Sequence, residues 1–193
     1  RRGRALDFGC GVGRLTQALA AHFDHVTGVD VSATMLELAR QHNRTGERVH
    51  FLRNTQPDLA LFPDASFDFV CSLITLQHIP TVHTRTYIRE FVRICAPGGA
   101  VLFQLPRREP PRDPPQRLQF SLWPPTLWMR TKRYVRYHWE QKFPRGPVME
   151  MHALPREEVL ALLREAGADF IAEWPDEATD ARIESYSYLA RKR

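Results

Sequence analysis

Long apolar runs are missing from this 193-residue chain. None approaches the roughly 18 residues that a membrane-crossing helix needs, and no signal-peptide pattern opens the sequence. A spanning or exported protein is disfavoured, and the expectation is a cytoplasmic one. Cysteine is scarce as well. Cys10, Cys71 and Cys95 fall in or beside candidate core elements and show no metal-ligand spacing, so reduced packing residues are favoured over a disulfide framework. What remains is ordinary: 43% hydrophobic and 25% charged residues fit one globular domain over 1–193, with a core large enough to fold without staples.

The most informative segment is a glycine-rich turn. Asp7-Phe8-Gly9-Cys10-Gly11-Val12-Gly13 follows the apolar pair Ala5-Leu6 and leads into a helical pattern at Leu15, Ala18 and Leu19. A second apolar run, His25-Val26-Thr27-Gly28-Val29, ends in Asp30. A strand, a glycine turn opening a helix and an acidic residue closing the next strand form the nucleotide-binding half of a doubly wound α/β sheet. Glycine lets the backbone approach a ligand where a Cβ would collide, and a carboxylate at the second strand tip can accept both hydroxyls of a ribose. The spacing Gly9-x-Gly11-x-Gly13 differs from the dinucleotide pattern G-x-G-x-x-G, and Asp7 stands two places ahead of it. A carboxylate there repels a pyrophosphate but suits an ammonium. S-adenosylmethionine (SAM) carries an ammonium and a sulfonium and no phosphate, so charge favours it over NAD.

At these residues the sequence resembles the class I SAM-dependent methyltransferases. The resemblance continues through Gly28-Val29-Asp30-Val31-Ser32 with Met35-Leu36, through Phe62-Pro63-Asp64-Ala65-Ser66-Phe67-Asp68-Phe69-Val70 before and within a fourth strand, and through Leu76-Gln77-His78-Ile79-Pro80 after it. Arg93-Ile94-Cys95-Ala96-Pro97-Gly98-Gly99 resembles the turn into a fifth. The residues alone place strands near 4–8, 26–30, 48–53, 67–72, 99–105, 168–174 and 184–191. Helices fall near 14–22, 33–42, 82–95 and 155–166, with Ser32 as an N-cap and Gly167 as a stop. The last two strands are close enough in sequence to pair antiparallel. The resemblance implies a seven-stranded, mostly parallel sheet of order 3-2-1-4-5-7-6 with a reversed C-terminal hairpin strand.

It also implies a site. Asp7, Phe8, Gly9, Cys10, Gly11 and Gly13 form the cofactor turn, Asp30 takes the ribose or else caps the helix beside Ser32, Val31 is a further cofactor contact, and Met35 either flanks the adenine or packs as a core residue. Asn54 and Thr55 stand where many relatives carry an Asp for the adenine amino group, and an amide can accept that bond too. Ser72 and Leu73 leave the fourth strand beside the methionine part, since ligands of open α/β sheets bind outside the carboxyl ends of the strands. His78 is the candidate general base for a hydroxyl or amine acceptor; the alternative is a histidine that caps the following helix. Methyl transfer needs no metal. The Asn-Pro-Pro-Tyr type of signature is absent at Cys71-Ser72-Leu73-Ile74, which disfavours nucleobase amino groups and leaves a small-molecule, glycan-linked or lipid-linked acceptor, with O-methylation ahead of N-methylation. A nicotinamide-dependent oxidoreductase and a catalytically silent SAM-fold binding module stay open.

Residues 106–153 depart in composition. Ten Lys or Arg against three acidic residues lie within 106–146, with Trp123, Trp128, Tyr134, Tyr137 and Trp139 among them. The stretch reads as an insertion. Either it is a loosely packed crossover or it is a lid over the substrate, in which case an anionic acceptor is favoured; a membrane-surface contact through 118–139 is a further option, and nucleic acid is disfavoured. Arg1-Arg2-Gly3-Arg4 stands directly on the first strand, where the resemblance implies one or two earlier helices. The expectation is a module of a longer chain.

Overall fold

A computed structural model describes residues 3–108, 151–176 and 184–193. All of these belong to one compact unit, Arg1–Pro110 with Met151–Arg193. The expected lid, the membrane contact at 118–139 and most of the basic aromatic stretch lie outside the described residues.

The elements run β1 (Arg4–Phe8), α1 (Arg14–Leu19), β2 (His25–Asp30), α2 (Ala33–Gln41), β3 (Val49–Arg53), β4 (Phe67–Ser72), α3 (Thr81–Ile94), β5 (Cys95–Pro106), α4 (Arg156–Glu165), β6 (Ala168–Pro175) and β7 (Ser185–Lys192). They form a single sheet of order β3-β2-β1-β4-β5-β7-β6. The first five strands are parallel to one another, and β7 runs antiparallel to both β5 and β6. This is the order and the reversal that the sequence implied.

Helices cover both faces, so the parallel strands are apolar on both sides and read as continuous runs. Side-chain alternation divides β1 between two cores. Leu6 and Phe8 join Tyr87, Ile88, Phe91 and Val92 of α3 and Val159, Leu162 and Leu163 of α4, whereas Ala5 joins Leu36 and Ala39 of α2. The apolar positions of α3 recur at the spacing of one helical face. Phe8, Tyr87 and Phe91 stack in a cluster, with ring centroids 4.5 Å apart for Phe8–Tyr87 and 5.2 Å for Phe8–Phe91, which fixes the end of β1 against α3.

Two boundaries differ from the sequence reading. α1 ends at Leu19 rather than near 22. β5 begins at Cys95, so Pro97-Gly98-Gly99 does not precede the strand but interrupts it: Cys95 pairs with Phe67 and Ala100 with Phe69, and the intervening residues bulge out. Gly98 there has φ +79°, and a Cβ on Gly99 would lie 2.7 Å from the Asp68 carbonyl oxygen. Glycine permits the strand to resume after the bulge.

Candidate functional site

The carboxyl ends of β1 to β4 open on one cleft of about 670 Å³. Its lining includes Phe8, Gly9, Asp30, Val31, Asn54, Thr55 and His78, so seven of the residues singled out from sequence come together there. Asp7, Cys10, Gly11, Gly13, Met35, Ser72 and Leu73 do not line it. Among those the sequence reading missed, Ile74, Thr75, His83 and Tyr87 do.

The glycine turn is built by three left-handed residues, Gly9 (φ +77°), Gly11 (+53°) and Gly13 (+77°). Their reasons differ. A Cβ on Gly9 would meet Thr75 Oγ1 at 2.2 Å and one on Gly13 would meet the Phe51 ring at 2.6 Å, so both are packing glycines; nothing lies within 4 Å of the position a Gly11 Cβ would take. Gly11 is thus the one glycine of the turn with open space at its Cβ position. The turn is tied to β2 twice, by the Gly9 and Cys10 N–H groups donating to the Val29 carbonyl, and by Asp30. The Asp30 carboxylate accepts the Gly11 N–H at one oxygen and the Ser32 N–H at the other, each 2.8 Å away. Each carboxylate oxygen keeps a second acceptor site, which a ribose hydroxyl pair can use.

Asp7 lies behind this turn, 3% exposed. It accepts the Thr16 hydroxyl at 2.7 Å and faces the Cys71 thiol at 3.9 Å. Burial pushes its pKa up to about 6 against the pull of the Thr16 hydrogen bonds, and the neighbouring Asp30 charge pushes the same way. No cationic side chain among the described residues pairs with it. Cys10 half-faces this region, its thiol pushed up to about 12 by burial and by Asp7 and Asp30; burial also raises Cys71 and Cys95. None of the three thiols is a nucleophile at neutral pH.

Asn54 is almost buried, and its amide is engaged by its own loop. Nδ2 donates to the Asp58 carbonyl at 2.6 Å, and Oδ1 accepts the Gln56 N–H at 3.1 Å. The loop is held from α3 by the Tyr87 hydroxyl, which donates to the Gln56 carbonyl at 2.8 Å. Asn54 therefore shapes this wall first and has one remaining acceptor site for a ligand amino group. Met35 is exposed on α2, where its N–H donates to Ser32 Oγ at 3.3 Å; Val31 is exposed on the cleft rim. Ser72 is fully buried with its hydroxyl unpartnered.

After β4 the backbone passes through Ile74 at φ +56°, an uncommon conformation for a β-branched residue. A short 3₁₀ turn, Leu76–His78, follows. The His78 Nε2 lies 3.2 Å from Gln77 Nε2, and its Nδ1 is buried without a partner. The capping alternative for His78 does not hold: α3 begins after Pro80 with no side-chain cap, and the Thr84 hydroxyl serves the Ile79 and Pro80 carbonyls instead. His83, in the first turn of α3, is exposed on the same cleft. A histidine among polar helix residues carries no signal that it faces a site; only the crossing of α3 behind the β4 loop reveals it.

The basic stretch is also reduced by one cation. Arg107 is held by Glu173 at 2.5 Å and stacks over Tyr186, and Glu173 is shared with Arg156 at 2.9 Å. Among the described residues no group of three His, Cys, Asp or Glu could hold a metal ion, and no helix is long and apolar enough to cross a membrane.

Residues 5–99 match the family model described as a methyltransferase domain. The chain is 34% identical over 108 residues to a ubiquinone biosynthesis O-methyltransferase of Hahella chejuensis, covering 55% of this chain and 44% of that protein. It is 36% identical over 108 residues to the protein of that description from Pseudomonas syringae pv. tomato, covering 55% and 46%. The chain thus spans less than half the length of the curated relatives it matches. Among solved structures, a SAM-dependent methyltransferase from Mesorhizobium loti superposes with a TM-score of 0.66 at 22% identity, over 98% of this chain and 91% of that one. Magnesium protoporphyrin IX methyltransferase from Synechocystis, with bound S-adenosylhomocysteine, gives 0.65 at 20% identity, over 98% and 73%. With the glycine turn, Asp30 and the reversed β7 in place, the chain belongs to the class I SAM-dependent methyltransferases.

Proposed function

We propose that this chain transfers a methyl group from SAM to a hydroxyl of a small-molecule acceptor bound in the cleft. The observation that carries the reading is the Asp30 carboxylate on the cleft lining, held against the one glycine of the turn whose Cβ position is open. The residues fit the group. Asp30 keeps acceptor sites for a ribose, Gly11 leaves the backbone bare, and Asp7 supplies an uncompensated carboxylate behind the turn for a ligand of positive charge. A pyrophosphate would meet the Asp30 carboxylate, with the buried Asp7 carboxylate adding repulsion from behind the turn.

When bound, SAM supplies a methyl on a cationic sulfur, already activated for in-line displacement. The protein then has to orient, exclude water and receive a proton. Phe8, Ile79 and Tyr87 give the cleft apolar walls. Two imidazoles face it, His78 and His83, and either can take the proton of an acceptor hydroxyl. His83 is the more open. His78 acts after its ring turns away from Gln77.

The name of the sequence relatives, O-methyltransferases of ubiquinone biosynthesis, supports a hydroxyl acceptor for this chain. The basic composition of 106–146 favours an anionic group on it, and the unpaired thiols Cys10, Cys71 and Cys95 fit a cytoplasmic site of action. The test is a panel of hydroxylated aromatic and isoprenoid-linked metabolites incubated with protein and SAM, scored by release of S-adenosylhomocysteine. Acceptor-dependent release that stops in Asp30→Ala supports the reading. SAM bound but not consumed with any acceptor would leave only a binding module.

A further inference from the structure

We propose that Gln104 is a positioning residue of the cleft, acting through the backbone of Ile74, with Ser185 holding Gln104 in turn. The proposal rests on the reading of the cleft as a SAM site. Gln104 lies on β5, 0% exposed, two strands away from the glycine turn. Its Oε1 accepts the Ile74 N–H at 2.6 Å, and its Nε2 donates to Ser185 Oγ of β7 at 2.6 Å. The amide orientation is unambiguous, because a backbone N–H can only donate.

Ile74 has no reason of its own to adopt φ +56°. A left-handed backbone is strained for a β-branched residue, and burial does not offset the strain, since Ile74 is 47% exposed. The buried amide does. An apolar side chain at 104 would leave the Ile74 N–H unpaired, and the loop could then relax toward an ordinary conformation.

The held conformation has consequences on both sides of the cleft. Thr75, the next residue, turns its hydroxyl to the Leu73 carbonyl at 3.0 Å and the Gly9 carbonyl at 3.5 Å. Its side chain fills the space that a Gly9 Cβ would need. The His78 N–H donates to the Thr75 carbonyl at 3.0 Å, so the turn that carries His78 hangs from the same residue. A chain of polar contacts thus runs from the reversed C-terminal strand, through β5, to the loop that presents Ile74 and His78 to the ligand.

The test uses S-adenosylhomocysteine titrated by calorimetry, amide hydrogen exchange at Ile74 and a melting curve, on wild type, Gln104→Leu, Gln104→Glu, Ile74→Gly and the double variant Gln104→Leu with Ile74→Gly. Gln104→Leu is expected to weaken binding about tenfold and to speed Ile74 exchange about a hundredfold. Gln104→Glu, which keeps an acceptor for that N–H, restores both to within about threefold. Where glycine already accepts the left-handed backbone, Gln104→Leu changes affinity by less than about threefold. If Gln104→Leu lowers the melting temperature yet binds as wild type, Gln104 is core packing only and the proposal is overturned. If wild type does not bind the probe, the SAM reading fails, and Ile74 exchange still decides whether Gln104 holds the loop. Should Gln104→Leu not fold, Ser185→Ala is read the same way: faster Ile74 exchange supports the chain of contacts, and unchanged exchange refutes it.

Discussion

The two walls of the cleft are built by opposite means. The β1–β2 wall is local: the glycine turn and Asp30 lie within 24 residues, and Asp30 closes the arrangement by accepting the Gly11 N–H. The β4 wall is assembled from afar. Ile74 takes its conformation from Gln104, Gln104 its orientation from Ser185, and His83 arrives on a separate helix. The local wall suits recognition of an invariant cofactor, and the assembled wall offers many independent positions at which an acceptor can be chosen. Variants of the first should act on SAM affinity, and variants of the second wall's imidazoles on turnover, whereas Gln104, which holds the loop itself, acts on affinity as well.

The largest expected effect falls on the assembled wall. If a wall imidazole takes the proton, His83→Gln or His78→Gln lowers turnover by about 10²–10⁴-fold with SAM affinity unchanged, the larger loss at His83. Steady-state kinetics beside a SAM titration reads this directly, and a loss of SAM affinity in either variant would break the division between walls. On the local wall, Asp30→Ala weakens SAM binding by about 2–4 kcal/mol. Its melting temperature falls too, because the Gly11 and Ser32 N–H groups lose their acceptor.

Asp7 sharpens the comparison through pH. Its folded pKa, about 6, lies above the ordinary 3.8, so the folded state binds the proton more tightly. The stabilisation that Asp7 itself contributes is fully present below about pH 4 and is lost as pH rises through 6, roughly 3 kcal/mol at 1.36 kcal/mol per unit. Asp7→Asn removes this slope in denaturant titrations run across that window. A cationic ligand favours the carboxylate, so SAM affinity in wild type rises as pH climbs through 6 and is flat there in Asp7→Asn. The smallest effects separate the glycines. Gly13→Ala displaces the Phe51 ring and costs stability above the strain of its φ, whereas Gly11→Ala costs only about 1 kcal/mol of strain while weakening SAM binding.

This asymmetry also explains what could be read from sequence. The strand order was legible only through the family resemblance, whereas the late antiparallel hairpin and the Asp30 tip rest on short-range pattern: a glycine turn, apolar runs, a close pair of late strands. The bulge at Pro97-Gly98-Gly99 was misplaced because a register shift depends on the partner strand, which the glycine pair does not reveal. Asp7 was legible as an acidic position but not as a buried one, since Thr16, its partner, stands nine residues on, in the next element, without a motif. Ile74, Gln104 and His83 were invisible for the deeper reason that their roles exist only across strands.

The central claim is that the cleft holds SAM through the β1–β2 wall, and calorimetric titration of the wild-type chain with SAM and with NAD tests it most directly. The account predicts one SAM per chain, lost or strongly weakened in folded Asp30→Ala, and no heat from NAD. Tight NAD binding, or SAM affinity unchanged in folded Asp30→Ala, would contradict it.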